Sequence, residues 1–339
     1  MNEGFVYDEI DERVWEAEFA RRLPSRIYDA HSHCWRAAEH RAVEGADPSL
    51  PVVVEEYPPE TLRAVHERLF PGRQVTGLVF GMGDRRTDFA AQNQWLAAEA
   101  TRLGYDSLMF ARPEWEEREL ERQMAAGHLG FKPYWLLAGD SLDAVDLVDM
   151  ISPAMLRVAQ RHAAIVMTHI PKSGRLADAS NRAGLRRLCA AAPEARFVLA
   201  HIGRSYFPEA MAHFDELCDL PNLWVDCSMV QDWEVIAHAL SSFPRERILF
   251  GLDLPIAQEK GKLIGVNGQR HFFTARPHHW SVHAEPGSYA VRCTLFAYEI
   301  VRALLKGADA VSLTETEVHS LFWDNAQRLV AAARARHNS

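Results

Sequence analysis

The chain has 339 residues, of which 48% are hydrophobic and 24% are charged, and its formal net charge is −9 at pH 7. This length and hydrophobic share are sufficient for one large α/β domain with a sizeable core. An acidic chain without basic runs is a poor candidate for binding nucleic acid or an anionic membrane surface, so we expect neither as a partner.

The N-terminus and the cysteines predict where the protein resides. Acidic residues occupy the N-terminus, where a secretory signal would be basic, and no apolar run approaches the roughly 20 residues that span a bilayer. The 5 cysteines are scattered and include no CxxC pair, which is typical of free thiols in a reducing compartment. We therefore expect a cytoplasmic protein.

The first predicted element is an amphipathic helix over 5–22, so residues 1–25 form an N-terminal helical extension. From residue 26 onward, short runs rich in β-branched and aromatic residues alternate with amphipathic helical stretches. These runs predict strands at 26–31, 75–81, 107–111, 130–135, 164–169, 196–201, 223–227 and 248–253. Helices are predicted between them, for example at 90–103, 153–162, 182–192 and 233–241.

The alternation of strands and helices predicts the fold. Near-continuous apolar strands that alternate with helices indicate a parallel sheet covered by helices. Eight such repeats fit a closed (β/α)8 barrel, the TIM barrel, better than an open sheet. We therefore predict a single barrel domain over 26–330 and a C-terminal tail at 331–339.

Two long connections follow predicted strands one and eight, at 34–73 and 254–290. Both leave the C-terminal ends of strands, which is where barrel enzymes carry their functional loops. The second contains His278, His279 and Trp280, which could close over a substrate, although incidental histidines in a surface loop explain them as well.

Two histidines end the first predicted strand, in the sequence Asp29-Ala30-His31-Ser32-His33. Residues two apart on a strand point to the same side, so both imidazoles can face one point in the barrel mouth. Neutral imidazole is a good ligand for zinc, iron and nickel. An HxH pair is also explained by polar residues at the junction of a strand and a loop, so it does not establish a metal site alone.

Three more side chains of the kind that bind metals end other predicted strands at the same end of the barrel. His169 ends strand five, His201 ends strand six and Asp253 ends strand eight. Any one of them could be a hydrogen-bonded core residue, but their recurrence at strand ends is hard to explain by packing. The pattern favours a divalent metal site at the C-terminal mouth of the barrel.

From about Ile27 to Leu329 the chain resembles the amidohydrolase superfamily, in particular its amidohydrolase-related branch. That branch also contains decarboxylases similar to aminocarboxymuconate-semialdehyde decarboxylase. The resemblance is carried by the HxH motif, the two later histidines, the eighth-strand sequence Phe250-Gly251-Leu252-Asp253 and the closing segment 323–329.

The resemblance implies one divalent metal, with zinc as the first choice and manganese as the second. Its ligands would be His31, His33, His169 and Asp253. His201 would lie beside the metal as an acid, or orient water or polarise the substrate, and Asp253 would also transfer a proton. The resemblance further implies a small-molecule substrate and a homodimer.

Five residues are candidate substrate contacts. Lys132 lies on predicted strand four, where some superfamily members carry a carbamylated lysine between two metals. With the single metal favoured here, Lys132 would instead pair with a carboxylate of the protein or substrate. Arg112 and Arg204 could bind a substrate carboxylate, although Arg204 could equally cap a helix or bind a loop. Trp35 and Tyr134 could stack on a ring-shaped substrate.

Two reactions fit this ligand set, and the motif residues do not separate them. One is hydrolysis of an ester, lactone or amide, and the other is nonoxidative decarboxylation. We favour hydrolysis because it is the broader default for such a metal site. A binding protein without catalysis is the third alternative, and the intact ligand set argues against it.

Overall fold

The computed structural model describes residues 5–39, 53–283 and 292–337. Its central element is a sheet of eight parallel strands in the order β1 to β8, each paired with the next along the chain. The strands are β1 Arg26–His33, β2 Gln74–Phe80, β3 Asp106–Ala111, β4 Gly130–Pro133, β5 Ile165–Thr168, β6 Arg196–Leu199, β7 Leu223–Asp226 and β8 Ile248–Leu249.

Backbone hydrogen bonds between β1 and the segment after β8 join the two ends of this sheet. The N–H of Ala30 donates to the carbonyl of Phe250 at 2.9 Å, and the N–H of Asp253 donates to the carbonyl of His31 at 2.7 Å. The predicted (β/α)8 barrel is therefore confirmed.

Helices connect the strands. The longer helices span Glu9–Val14, Pro59–Leu69, Phe89–Leu103, Glu117–Ala125, Pro153–His162, Ala179–Ala191, Trp233–Ser242, Phe296–Ala310, Glu315–Phe322 and Asp324–His337, and shorter ones span Trp135–Ala138, Leu147–Met150 and His201–Arg204. The π-helical turn Trp15–Phe19 extends the first helix. The observed N-terminal helical segment therefore spans 9–19 and is shorter than the predicted helix over 5–22. No helix in the described ranges is long and apolar enough to cross a membrane.

Local sequence explains where these helices begin and end. The helix Pro153–His162 begins after Ser152, whose side chain accepts a hydrogen bond from the N–H of Met155, and proline occupies its first position. Both features are favoured at helix N-termini. The helix ends at Ala163 in a left-handed conformation, with φ at 47°. The prediction of 153–162 matches it.

The N-terminal end of the barrel is closed by the last helix. Apolar side chains of the barrel strands pack with this helix in one buried cluster: Tyr28, Ala30, Leu78, Phe80, Leu108, Ile165, Met167, Val198, Trp224 and Leu249 from the strands, with Ala326, Leu329, Val330 and Ala333 from the helix. The helix continues across the predicted boundary at residue 330. With this end packed, the open end of the barrel is the C-terminal one.

Several strands end earlier than predicted, which corrects the placement of three site residues. β5 ends at Thr168, β6 at Leu199 and β8 at Leu249, so His169, His201 and Asp253 lie in the turns just beyond the strands. Backbone conformation explains why the strand does not continue to His201 or to Asp253. These two residues have φ values of 57° and 70°. Such positive φ values are incompatible with a continuing strand.

The long connection after β8 forms a second, smaller sheet. It contains β9 Gly261–Val266, β10 Gln269–Thr274 and β11 Val282–His283, in the order β11-β10-β9. β9 and β10 form an antiparallel hairpin whose turn is Asn267-Gly268, both at positive φ, which is the turn that Asn-Gly favours. The long connection predicted after strand eight is therefore present and contains three short strands that the sequence did not predict, and 284–291 lie outside the described residues.

The connection after β1 also contains regular secondary structure. The helix Pro59–Leu69 occupies its second half, and residues 40–52 lie outside the described ranges.

Candidate metal centre

Four imidazoles and one carboxylate meet at the C-terminal mouth of the barrel. Asp253 Oδ1 lies 3.3 Å from His33 Nε2 and 3.4 Å from His31 Nε2, and Asp253 Oδ2 lies 3.8 Å from His201 Nε2. His169 Nε2 lies 3.0 Å from His201 Nε2. The structure thus brings together all five residues that the sequence proposed for the metal site.

The tightest group within this cluster differs from the predicted ligand set. One donor atom each from His31, His201 and Asp253 lie within 4.8 Å of one another. The sequence assigned His201 a place beside the metal and proposed His33 and His169 as ligands instead. Which of the four histidines bind the metal directly stays a prediction.

Hydrogen bonds fix the orientation of three of the imidazoles. Nδ1 of His31 bonds to the Asp226 carboxylate at 3.0 Å, and Nδ1 of His33 bonds to the carbonyl of Gly81 at 2.9 Å. Nδ1 of His201 bonds to the carbonyl of Ser228 at 2.8 Å. A carbonyl or an ionised carboxylate only accepts, so each Nδ1 carries the hydrogen and each Nε2 is left with a lone pair that faces the cluster. Metal-binding histidines are held in this way.

His169 provides a test of whether a cation fits the site. Its Nδ1 is buried and has no hydrogen-bond partner among the described residues. Its Nε2 faces Nε2 of His201, whose lone pair also points inward. If His169 is protonated on Nδ1, two lone pairs face each other at close range, an arrangement that a cation would stabilise. The donor set therefore fits a divalent metal, and imidazole with carboxylate suits zinc and manganese.

Burial sets the protonation states of these groups. It lowers the pKa of His33, lowers that of His169 well below the usual value and lowers that of His201 to about 4. Burial would raise the pKa of Asp253, but the nearby histidines outweigh it and hold that pKa well below its usual range. Neutral imidazoles and an ionised carboxylate are the forms that bind metals.

Asp226 is a site residue that the sequence analysis missed. It ends β7, is fully buried, and accepts hydrogen bonds from Nδ1 of His31, from the backbone N–H of His201 at 3.1 Å and from the N–H of Ser228 at 3.0 Å. Burial opposes its ionisation, but His31, with smaller effects from His201 and the Ser228 hydroxyl, lowers its pKa to about 2. The sequence offered one signal for Asp226, because it is the acidic residue at the end of predicted strand seven.

Asp29 organises the strand that carries the HxH pair. Its carboxylate accepts from the backbone N–H groups of His31 at 3.1 Å and Leu252 at 3.0 Å, and from the Ser32 hydroxyl at 2.5 Å. His66 is buried and bonds to the same carboxylate at 3.0 Å. Asp29 therefore ties β1 to the segment that carries Asp253.

Strained backbone is concentrated around this site. His201, Ile202 and Arg204 all have positive φ values, and with Gly203 they form a left-handed turn directly after β6. Asp253 is also left-handed, with φ at 70°. Such conformations cost about 1–3 kcal/mol each in residues other than glycine and cluster at functional sites. The turn carries both His201 and Arg204 at the mouth of the barrel.

Lys132 lies close to the cluster but away from the cavity. It is fully buried, with its Nζ 3.4 Å from Nε2 of His31 and 4.5 Å from the centre of the Phe80 ring. Burial lowers its pKa to about 8, against the opposing effect of Asp226 and Asp253. It does not line the cavity, so the structure does not support direct contact with a substrate.

A cavity of about 380 Å³ opens above the cluster. His169, His201 and Asp253 form its inner wall, and two of the predicted substrate contacts, Tyr134 and Arg204, also line it. The remaining lining residues are Trp135, Leu142, Tyr206, Met229, Ile256, Arg270, Phe272 and Trp280. The last three come from the segment after β8, where the sequence analysis named Trp280 but not Arg270 or Phe272.

The other two predicted contacts lie elsewhere. Trp35 is fully buried, donates from Nε1 to the carbonyl of Glu55 at 2.8 Å, and borders a side cavity of about 60 Å³ next to His33. Arg112 does not line either cavity, which corrects the prediction. The reason is that its guanidinium binds locally, donating to the carbonyls of Arg85 at 2.6 Å and Thr87 at 3.0 Å.

The sequence matches the family model described as Amidohydrolase over residues 28–331. The chain belongs to the amidohydrolase family. The expected resemblance is thereby confirmed. No curated protein is similar enough in sequence to match the chain.

Solved structures support the fold of this amidohydrolase-family protein. One is the probable 2-pyrone-4,6-dicarboxylic acid hydrolase of Acinetobacter baumannii with citric acid bound, at 15% identity, TM-score 0.53 and coverage of 90% of this chain and 99% of that one. Another is the 4-oxalomesaconate hydratase of Rhodopseudomonas palustris, at 18% identity, TM-score 0.55 and coverage of 91% and 97%.

A third is the 5-carboxyvanillate decarboxylase of Novosphingobium aromaticivorans in complex with manganese and 4-hydroxy-3-methoxy-5-nitrobenzoic acid. It is 11% identical, with a TM-score of 0.54 and coverage of 91% of this chain and 96% of that one. At these identities the three structures support a shared fold and leave the reaction of this chain open.

Proposed function

We propose that the protein is a metal-dependent hydrolase of a small ester, lactone or amide that is cyclic or carries a carboxylate. The observation that carries this proposal is the convergence of the four histidines and Asp253 at the barrel mouth, where His169, His201 and Asp253 line one cavity. His31, His33, His169 and Asp253 would hold the metal, zinc first and manganese second. When bound, the metal would lower the pKa of water and polarise a carbonyl.

The side chains of this cavity then divide the remaining work. Asp253 is ionised at neutral pH, so it accepts the proton of the attacking water and returns it to the leaving group. His201 is held with its hydrogen on Nδ1, so its Nε2 accepts a hydrogen bond from water. In this tautomer His201 orients the water and does not donate to an oxyanion. Tyr134 and Arg204 contact the substrate.

Decarboxylation of a carboxylic acid is the second candidate. It is favoured by the similar structures named as 5-carboxyvanillate decarboxylases, whose substrates carry a carboxylate on a ring. The similar structures named as 2-pyrone-4,6-dicarboxylic acid hydrolases support the first candidate equally. We place hydrolysis first because it uses the proton acceptor Asp253 and the water-orienting His201 together.

Product analysis separates the two reactions. The purified protein, loaded with zinc or manganese, is offered lactones, esters and ring-bearing carboxylic acids, and the release of acid or alcohol is measured alongside carbon dioxide. Hydrolysis predicts ring opening or acid release without carbon dioxide. Asp253→Asn should abolish turnover, whereas Asp219→Asn, an exposed aspartate paired with Arg186, should not change it. Carbon dioxide as the product would instead establish the decarboxylase, and no turnover in either panel would count against both.

A further inference from the structure

The hairpin of β9 and β10 places charged and aromatic side chains over the metal cavity. Arg270 and Phe272 of β10 line the cavity from one side, and Arg204 and Tyr206, which follow β6, line it from another. The cavity is therefore enclosed between the barrel mouth and an element that is not part of the barrel.

Arg270 is held in this enclosure by aromatic rings alone. Its guanidinium carbon lies 4.8 Å from the centre of the Tyr206 ring and 4.9 Å from that of the Phe272 ring. Within residues 5–39, 53–283 and 292–337 it makes no hydrogen bond and no ion pair. Stacking on the rings fixes the plane of a guanidinium and leaves its donor edge available for an oxyanion.

Two more arginines lie near Arg270, and none of the three forms an ion pair with a carboxylate of the described chain. Arg204 donates only to the carbonyls of Ile170 at 3.1 Å and Lys172 at 3.0 Å. Arg175 stacks on Phe207 at 4.9 Å, and its Nε is buried without a partner. Burial, with the charges of Arg270 and Arg175, lowers the pKa of Arg204. Clustered like charges are unfavourable unless an anion binds between them.

The distance from this cluster to the metal centre limits the ligand. The Tyr206 ring is close to both, with its centre 5.8 Å from that of the His201 ring and 4.8 Å from the Arg270 guanidinium carbon. A ligand that reaches both sites therefore needs to be about the length of one substituted ring.

We infer that Arg204 and Arg270 form an anion subsite that binds a carboxylate at the end of the substrate farthest from the reacting group. Arg175 lies behind this pair and adds positive charge. Arg270 is then a specificity-determining residue, because it is delivered by the hairpin and is free to make two parallel hydrogen bonds to a carboxylate. The position of the carboxylate relative to the reacting group rests on the proposed function, whereas binding of the anion does not.

Calorimetric titration with a ring-sized probe tests this subsite. The probes are isophthalate, with two carboxylates, its uncharged analogue isophthalamide, and phenyl phosphate. The purified protein should bind isophthalate at least about tenfold more tightly than isophthalamide, since hydrogen bonds between ionised groups are the strong ones. Arg270→Met should weaken isophthalate binding by about tenfold or more and leave isophthalamide binding within about twofold.

Two variants control the measurement. Arg118→Met removes one charge from an exposed position on the helix Glu117–Ala125 and should leave isophthalate binding unchanged. Arg270→Lys keeps the charge but loses the two parallel hydrogen bonds, so its affinity should fall between those of the wild type and Arg270→Met. Thermal unfolding of each variant checks that the fold is retained.

Three results would overturn the inference: no binding of isophthalate below about 10 mM, equal affinities for isophthalate and isophthalamide, or an unchanged isophthalate affinity in Arg270→Met. Phenyl phosphate bound at least about tenfold more tightly than isophthalate would overturn the choice of a carboxylate. The titration is repeated on chelator-treated protein, where the Arg270 effect should persist. A protein that fails to bind metal but keeps that effect would contradict the proposed function and leave the subsite standing.

Discussion

Nε2 of His169 and Nε2 of His201 lie 3.0 Å apart at the mouth of the barrel. His201 is bonded through Nδ1 to the carbonyl of Ser228, whereas Nδ1 of His169 is buried without a partner in the described chain. A cation beside the two Nε2 atoms would offset the repulsion between their lone pairs.

Metal binding should stabilise the folded protein. A ligand that binds only the native state at one hundred times its dissociation constant adds about 2.7 kcal/mol to the free energy of unfolding. We expect added zinc or manganese to raise the Tm of chelator-treated protein, and His169→Ala to lose most of that rise. His162→Ala, which removes a histidine paired with Glu121 outside the site, should keep it. An equal rise in His169→Ala would show that the metal binds elsewhere.

Asp226→Asn should weaken metal binding without removing a proposed ligand. The amide cannot hold the hydrogen of His31 on Nδ1 as an ionised carboxylate does, so the imidazole loses its fixed tautomer and orientation. Changes of this kind typically cost 10–100-fold in metal affinity. Competition against a fluorescent chelator measures the loss. The exposed pair of Asp215 and His238 offers a matched control, and Asp215→Asn should bind metal as the wild type does.

Asp29→Ala should destabilise the fold. The buried carboxylate accepts from the N–H groups of His31 and Leu252 and from the side chains of Ser32 and His66, and its removal leaves several of these donors unsatisfied. We expect a loss of about 3 kcal/mol or more in the free energy of unfolding, measured with urea.

A helix cap provides the comparison for Asp29. Asp178→Ala removes a carboxylate that accepts from the N–H of Ser180 at the start of an exposed helix turn, and it should cost only about 1 kcal/mol. A loss at Asp29 no larger than at Asp178 would contradict the role given to Asp29.

Glu259→Gln should loosen the segment that covers the cavity. Glu259 is buried and pairs with Arg276 and, at 3.2 Å, with His278, which stacks on the cavity-lining Trp280 with ring centres 4.5 Å apart. We expect KM to rise several-fold with a smaller change in kcat, because Glu259 contacts no reacting group. Glu315→Gln, at an exposed position, should change neither. A fall in kcat alone would place Glu259 in the chemical step instead.

The barrel was predictable because it follows from the regular alternation of apolar runs and helices. The five residues of the metal centre were predictable from their positions at the ends of those runs. Apolar runs that alternate with helices specify a parallel barrel, and its C-terminal mouth collects whatever polar residues follow the strands. His31, His33, His169, His201 and Asp253 all follow this rule, although the strands before three of them end earlier than the apolar runs do.

The remaining features depend on three-dimensional contacts that the sequence pattern does not contain. The two arginines after strands three and six look alike in the sequence, but Arg112 is directed to local carbonyls and Arg204 to the cavity. Asp226 could have been proposed from its strand end. Arg270 could not, because its place over the cavity depends on how the hairpin folds back, and the only local signal was the turn Asn267-Gly268.

The metal content of the protein, measured by elemental analysis after purification without added metal or chelator, tests the central claim most directly. We expect about one divalent ion per chain, zinc or manganese, and a large loss of that ion in His169→Ala. Less than about one tenth of an ion per chain, persisting after incubation with zinc and with manganese, would contradict a metal centre at these residues.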